Sequence, residues 1–353
     1  MGNKTMGQDM VDKKIAVLAT GANGSCISAD LTRAGLDVSM IDMWPAHIDA
    51  MRANGLTITT KDDEFNVAVK AYHMCDVCTF TEKFDIVLLT SKAYDSRWLT
   101  EFIEPHLADD ALVIGAQNCM TAEMIAEIVG VERTVGCVVE LASQLFEPGQ
   151  VYRSTPKEGS WFAVGSFDPV QEDRVEEAAE ILRHSGKVDI TDDVLSAKWM
   201  KLIVNAMVMG TMAILGGTPE QVLRLNGKEY AQRAREWFLR AGEEALAVGQ
   251  SMGYKVVPVF GLKPEEVENT NNLLETLLDR ILHDVGPTAI NTTLQDYMKG
   301  RYSEVDMFNG LVANECKKNG RSATVSDLIV DLSRRIEAGE LKPDLANLDL
   351  VCR

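Results

Sequence analysis

The amino-acid sequence predicts an α/β protein: a doubly wound parallel sheet in its first half, then an all-helical domain. Three observations predict it. Short apolar runs alternate with amphipathic stretches from residue 14 to residue 190, the pattern of strands interleaved with helices. A glycine-bearing turn stands directly between the first apolar run and the first amphipathic stretch. Beyond residue 190 strand signals vanish, and helical periodicity takes over to about Ala338.

Taken in order, Lys14–Thr20 reads as a strand, Gly24–Ala34 as a helix and Leu36–Asp42 as a second strand. A helix is expected over Pro45–Asn54, opened by its proline. The unbroken Ile-Val-Leu-Leu run makes Phe84–Thr90 a strand buried on both faces. Ala111–Gly115 continues the sheet and Thr121–Val129 follows as a helix. Residues 134–165 are richer in β signals, and a helix at Val170–His184 and a strand at Lys187–Ile190 close the half. In the second half, Trp199–Leu215 is apolar on almost every side, which marks a helix inside a core.

Composition narrows the function. With 353 residues, 46% of them hydrophobic, the chain can build two cores. Its net charge of −18 argues against nucleic acid and against an anionic membrane as partners. No run of eighteen apolar residues occurs, so no membrane-spanning segment is expected. Residues 1–13 are polar, lack the apolar segment of a secretory signal and read as a flexible leader. Seven scattered cysteines, an odd number, suit reduced thiols in a cytoplasm. The expected partners are a small molecule and a second copy of the chain, as a homodimer.

The turn Ala19-Thr20-Gly21-Ala22-Asn23-Gly24 matches G-x-G-x-x-G with alanine in first place. In such a Rossmann-type unit the second glycine lets backbone N–H groups approach a pyrophosphate, and the third lets helix pack closely on strand. The helix N-terminus adds partial positive charge. Asp42, at the end of the second strand, stands where an acid binds the ribose hydroxyls and repels a 2′-phosphate. No Arg or Lys occurs from 43 to 51, so NAD is expected over NADP. Residues 14–190 thus form a dinucleotide-binding domain and 191–340 a helical substrate and catalytic domain; the tail 341–353 carries no strong signal.

In the apolar helix only Lys201, Asn205 and Thr211 are polar. Lys201 and Asn205 are four apart and share a face. Burying a lone ammonium costs free energy, so such a lysine calls for a reason. One is that its stem snorkels to water; the other is proton transfer beside an amide that orients substrate.

Five segments in order resemble the ketopantoate reductase (2-dehydropantoate 2-reductase) family, over roughly residues 14–335, within the 6-phosphogluconate dehydrogenase-like superfamily. They are Thr90-Ser91-Lys92-Ala93-Tyr94, Gln117-Asn118-Cys119-Met120, Glu147-Pro148-Gly149-Gln150-Val151, Trp199-Met200-Lys201-Leu202-Ile203-Val204-Asn205, and Ser303-Glu304-Val305-Asp306-Met307-Phe308-Asn309-Gly310. The resemblance implies that Lys201 is the general acid in ketone reduction and the base in alcohol oxidation. It implies that Glu304 helps hold Lys201 charged, that Asn205 binds substrate, and that Asn118 lies near nicotinamide and substrate together. Lys92 would face the cofactor, and the family's substrate-binding serine aligns with Thr292. Ser303 and Asp306 read as a capping-box-like helix start, with Glu304 in the first turn.

The departures from the family are informative. Ala19 replaces a glycine, Cys119 replaces another, and Asp42 is at odds with the usual NADPH. Met209 stands where the family has a second substrate-binding asparagine, and a thioether cannot replace the amide's hydrogen bonds. The expected substrate is therefore a 2-oxo or 2-hydroxy acid with an apolar side chain, bound in a cleft between the domains. An NADPH-dependent 2-dehydropantoate 2-reductase proper, a β-hydroxyacid dehydrogenase and a non-catalytic dinucleotide sensor remain alternatives. His73, Cys75 and Cys78 have metal-like spacing but no evident fourth ligand, and no metal is expected.

Overall fold

The computed structural model describes Met10 and residues 12–167, 172–267 and 272–351. The chain divides into two compact units, Met1–Val194 and Leu195–Arg353.

In the first unit β1 (Lys14–Leu18), α1 (Ala22–Arg33), β2 (Asp37–Asp42) and α2 (Pro45–Asn54) follow the expected order. Three short strands come next: β3 (Leu56–Thr59), β4 (Glu64–Val67) and β5 (Lys70–His73). The remainder is β6 (Phe84–Leu89), α3 (Ser96–Ile103), β7 (Leu107–Gly115), α4 (Ala122–Val129), β8 (Thr134–Glu140), β9 (Ser143–Glu147), β10 (Gln150–Arg153), β11 (Trp161–Gly165), α5 (Glu172–Arg183) and β12 (Lys187–Ile190). The main sheet has eight strands in the order β12-β11-β8-β7-β6-β1-β2-β5, parallel at each pairing except β8 with β11. From β1 the chain runs outward to β2 on one side and later returns to β6 on the other. The carboxyl ends of β1 and β6 therefore flank a topological switch point, where open α/β sheets bind ligands. Both faces of the sheet are covered: Ile15 and Val17 of β1 belong to one core cluster, Ala16 and Leu18 to the other.

A second sheet, β4-β3-β10-β9, is anticipated only in part: β9 and β10 fall in the β-rich stretch 134–165, whereas β3 and β4 are not expected. Those two strands are four residues long and only partly buried, too short to stand out by periodicity. Arg153 of β10 ties this sheet to α1. Its guanidinium donates to Asp30 at 2.6 Å, to Ser160 Oγ at 2.9 Å and to the Ser185 carbonyl at 2.9 Å. Helix α3 also goes unanticipated. The first strand is shorter than expected because Ala19 turns to φ +60 and leaves the extended region. The helix expected from Val170 is described from Glu172, residues 168–171 lying outside the described part. Of the expected leader, residues 1–9 and 11 also lie outside it, but Met10 is buried in the core.

The second unit is built round α6 (Val194–Leu215), with α7 (Lys228–Ser251), α8 (Leu273–Val285), α9 (Thr292–Met298), α10 (Asn309–Lys318) and α11 (Thr324–Glu337). By length and composition α6 is apolar enough to cross a membrane, against the expectation drawn from unbroken runs, but its most apolar window is 94% buried. It is a core helix. Trp199 anchors it to α7: the indole N–H donates to the Ala245 carbonyl at 3.0 Å, and a β-carbon at Gly249 would lie 1.9 Å from that nitrogen. The same helix α7 supplies Glu244, whose carboxylate accepts the Val325 and Ser326 N–H groups at the start of α11. The tail is more ordered than its sequence signal. Leu348 is buried, and Asn347 donates to the Ile214 carbonyl at 2.9 Å, closing the end of α6.

Candidate active site

In the first unit the loop from Ala19 to Gly24 joins β1 to α1 at the switch point. Ala19 N–H donates to the Ile41 carbonyl and Thr90 N–H to the Leu18 carbonyl, so the loop hangs from neighbouring strand ends. Its two glycines do different work. A β-carbon at Gly24 would meet Thr90 Oγ1 at 2.3 Å, so that position is closed by strand packing. A β-carbon at Gly21 would meet nothing within 4 Å. That open approach, the α1 N-terminus beside it and the buried Thr20 Oγ1, which has no hydrogen-bond partner among the described residues, fit a bound pyrophosphate. Ala22 is half-buried, and Asn23 is held by Ser143 of β9, whose hydroxyl donates to Asn23 Oδ1 at 2.6 Å. Behind the loop, Ser25 donates to the Thr20 carbonyl at 2.9 Å and lies 3.1 Å from His47 Nε2. Gly149 N–H donates to His47 Nδ1 at 3.0 Å, which makes Nδ1 the acceptor and leaves the proton on Nε2. Burial drives His47 down to about 4, partly opposed by a hydrogen bond with the Thr20 backbone. The ring is neutral at pH 7.

Asp42 is buried at the end of β2, and its Oδ1 accepts the Trp44 N–H at 2.7 Å, capping the turn into α2. A carboxylate has acceptor capacity for such a turn and a ribose together. Lys92, half-buried, follows β6 and caps the turn Ala93–Asp95. Asn118, half-buried, follows β7 between Gln117, whose amide donates to Ser96 Oγ at 3.1 Å, and Cys119 at φ +66. Loop, Lys92 and Asn118 thus share the carboxyl ends of adjacent strands β1, β6 and β7. His73 Nε2 lies 2.9 Å from Asp49 Oδ1, and Cys78 Sγ donates to the Cys75 carbonyl. No cluster of three or more His, Cys, Asp or Glu side chains able to hold a metal occurs among the described residues.

The second unit gathers the rest on α6. Lys201 is 6% exposed and Asn205 is fully buried, with half-buried Met209 one turn further on the same face. Lys201 Nζ lies 5.1 Å from the centroid of the Phe260 ring. Thr292, the first residue of α9, brings Oγ1 to 3.8 Å from Met209 Sδ. Glu304 is 3% exposed, and its carbonyl accepts the Met307 N–H in the single helical turn Val305–Met307. The capping box expected there does not form. Ser303 Oγ donates to Glu337 at 2.7 Å and Asp306 pairs with Arg334 at 2.9 Å, because α11 supplies partners that local spacing does not reveal. Asn309, buried, instead donates to the Ala206 carbonyl at 3.1 Å and locks this segment onto α6 beside Asn205. Sequence reasoning passed over Asn309, although it lies in the Ser303–Gly310 segment. Phe260, His47 and Ser143 gave no sequence signal.

The family model described as ketopantoate reductase PanE/ApbA matches residues 15–167, and its C-terminal counterpart matches residues 193–337. The chain belongs to the ketopantoate reductase family. Members are pyridine-nucleotide-dependent oxidoreductases. A 2-dehydropantoate 2-reductase of Pyrococcus horikoshii is 25% identical over 332 residues, covering 92% of this chain and 98% of the relative. Among solved structures, a ketopantoate reductase from Ralstonia eutropha JMP134 is similar with TM-score 0.75 at 24% identity, covering 93% of this chain and 99% of that one. D-mandelate dehydrogenase, solved with NADH and anilino(oxo)acetate, is similar with TM-score 0.79 at 19% identity, covering 92% and 99%. The ketopantoate reductase fold is thus present from the first strand to the last long helix.

Proposed function

We propose that this member of the family transfers hydride between NAD(H) and C2 of a 2-oxo or 2-hydroxy acid with an apolar side chain. The observation that carries the reading is Lys201, 6% exposed within a core helix and one turn from the buried amide of Asn205. Lys201 donates a proton to the substrate oxygen in reduction and accepts it in oxidation, and Asn205 orients the acid. Glu304, in the segment that Asn309 ties to α6, helps keep the ammonium charged. A bound nicotinamide supplies or accepts the hydride. Ala19, Thr20, Gly21, Ala22, Asn23 and Gly24 would hold its pyrophosphate and Asp42 its adenosine ribose, with Lys92 and Asn118 toward its reactive end. The positive charge of Lys201 stabilises the alkoxide that develops as hydride arrives.

Two supports bear on the finer points. Asp42 is buried with its carboxylate at the end of β2, where it disfavours a 2′-phosphate. The similar fold of D-mandelate dehydrogenase, solved with NADH and anilino(oxo)acetate, supports the same choice. The family's own name gives the second reading, a reductase of ketopantoate, and one assay separates them. A panel of 2-oxo acids, ketopantoate included, is reduced with NADH and with NADPH at one wavelength. Higher kcat/KM with NADH is expected, and a tenfold preference for NADPH would sink the assignment of Asp42. Lys201→Ala should lower kcat by ~10²–10⁴-fold with dinucleotide affinity nearly unchanged. Turnover retained in that variant would move proton transfer elsewhere.

A further inference from the structure

The segment Val259–Leu262 is a tight turn closed by Leu262 N–H donating to the Val259 carbonyl at 3.0 Å. Its two central residues, Phe260 and Gly261, have φ of +59 and +66. Such left-handed pairs belong to primed turns, whose first central position is the province of Asn, Asp and Gly. A phenylalanine there is a genuine outlier, since its Cβ crowds the backbone. Turn residues also ordinarily face water, yet Phe260 is 1% exposed. The chain accepts strain at this position and gains a buried aromatic ring with Lys201 Nζ 5.1 Å from its centroid. That distance is within the range where the negative face of an aromatic ring attracts a cation. Backbone strain of this kind concentrates at functional sites, and here it accompanies the one buried ammonium assigned a proton to move.

We propose that Phe260 is a positioning residue that holds the Lys201 ammonium against its ring face and so fixes the proton donor for the substrate oxygen. The proposal rests on Lys201 as the proton-transferring group. An ammonium held in place loses less rate to misplacement than one free to swing, because proton transfer demands a defined geometry. A leucine would fill much of the same volume without the ring's electrostatics. The test therefore separates packing from cation–ring attraction.

Three variants are compared in the full chain: Phe260→Leu, Phe260→Tyr, and 3,4,5-trifluorophenylalanine introduced at position 260, which keeps the shape and drains the ring face. Each is measured for kcat with the best 2-oxo acid, for NADH affinity, and for the rate at which trace acetic anhydride acetylates Lys201, read by peptide mass. The leucine and trifluoro variants should lose roughly 3- to 30-fold in kcat, the span of a cation–π contact. NADH affinity should hold within about twofold and Lys201 acetylation should speed up several-fold, because a side chain no longer held against the ring meets the reagent more readily. Tyrosine should keep all three values near those of the parent. The trifluoro variant guards against a leucine protein that fails to fold. If it leaves kcat and acetylation unchanged while Lys201→Ala abolishes turnover, Phe260 is only core packing and the proposal is overturned. If Lys201→Ala itself keeps turnover, the parent reading falls and the positioning role with it.

Discussion

At the residue scale the substrate question turns on one atom, the sulfur of Met209. It shares a helix face with Lys201 and Asn205, is half-buried, and is met by the Thr292 hydroxyl at 3.8 Å. A thioether offers dispersion and an adaptable shape, and it accepts hydrogen bonds weakly. If Met209 faces the substrate as proposed, a hydroxyl opposite it would stay poorly satisfied, at a cost of about 1–3 kcal/mol, or roughly 5- to 150-fold in specificity. Met209→Asn should therefore raise kcat/KM for ketopantoate relative to an acid with an apolar side chain. A parent protein that already prefers ketopantoate, or a ratio unmoved by the substitution, would show that Met209 does not select the substrate. Ala19 and Cys119 make a second point at this scale. Both adopt positive φ, +60 and +66, the region that suits glycine, so each side chain stands on a backbone that favours a residue without a β-carbon.

At the element scale the junction of β1, loop and α1 makes two glycines of one motif separable. Gly24 is packed against Thr90, whose hydroxyl donates to the Leu18 and Ala19 carbonyls, whereas Gly21 faces open space. Gly24→Ala should overpack the junction and cost about 1–3 kcal/mol in urea unfolding. Gly21→Ala has φ −61 to accommodate and nothing to strike, so stability should change by no more than about 0.5 kcal/mol. Its methyl group would stand where the pyrophosphate is proposed to pass, and NADH affinity should fall at least about tenfold. Equal effects of the two substitutions on stability and on NADH would contradict this division of labour.

At the scale of the whole chain the loop Ala19–Gly24 is tied into distant sequence. The Thr20–Ser25–His47–Gly149 relay crosses from loop to α2 to the second sheet. His47 must be neutral to accept the Gly149 N–H, and burial lowers it from 6.5 to about 4. Unfolded chains therefore bind more protons at this residue between those two pH values. Its contribution is complete above about pH 6.5 and is lost as pH falls toward 4, a swing on the order of 3 kcal/mol. Urea unfolding of the parent and His47→Gln from pH 7.5 to 4.5 isolates it: the parent's advantage should shrink steadily below pH 6.5. A difference constant across that range would mean that His47 is not the titrating group.

Most of the main sheet was legible in the sequence because its central strands carry their own signal, whereas the four-residue edge strand β5 does not. Val17, Val87 and Ile114 are buried whatever lies elsewhere, and a run of such residues needs no partner to be recognised. The same holds for the glycine-bearing loop between β1 and α1 and for Lys201, which stands in an apolar helix. Burial of that lysine and of Asn205 followed from local spacing alone. The second sheet was legible only in the β-rich stretch that holds β9 and β10, and its tie to α1 through Arg153 and Asp30 spans 123 positions. The partner of Asn23, a serine 120 residues away, was not legible. The supposed capping box failed for the same reason, its polar atoms being taken by Glu337 and Arg334 on another helix. Periodicity and spacing determine which residues are buried and which elements form. Which polar group meets which, and that a strained phenylalanine lies beside Lys201, depends on contacts between distant segments, and only the tertiary structure decided those.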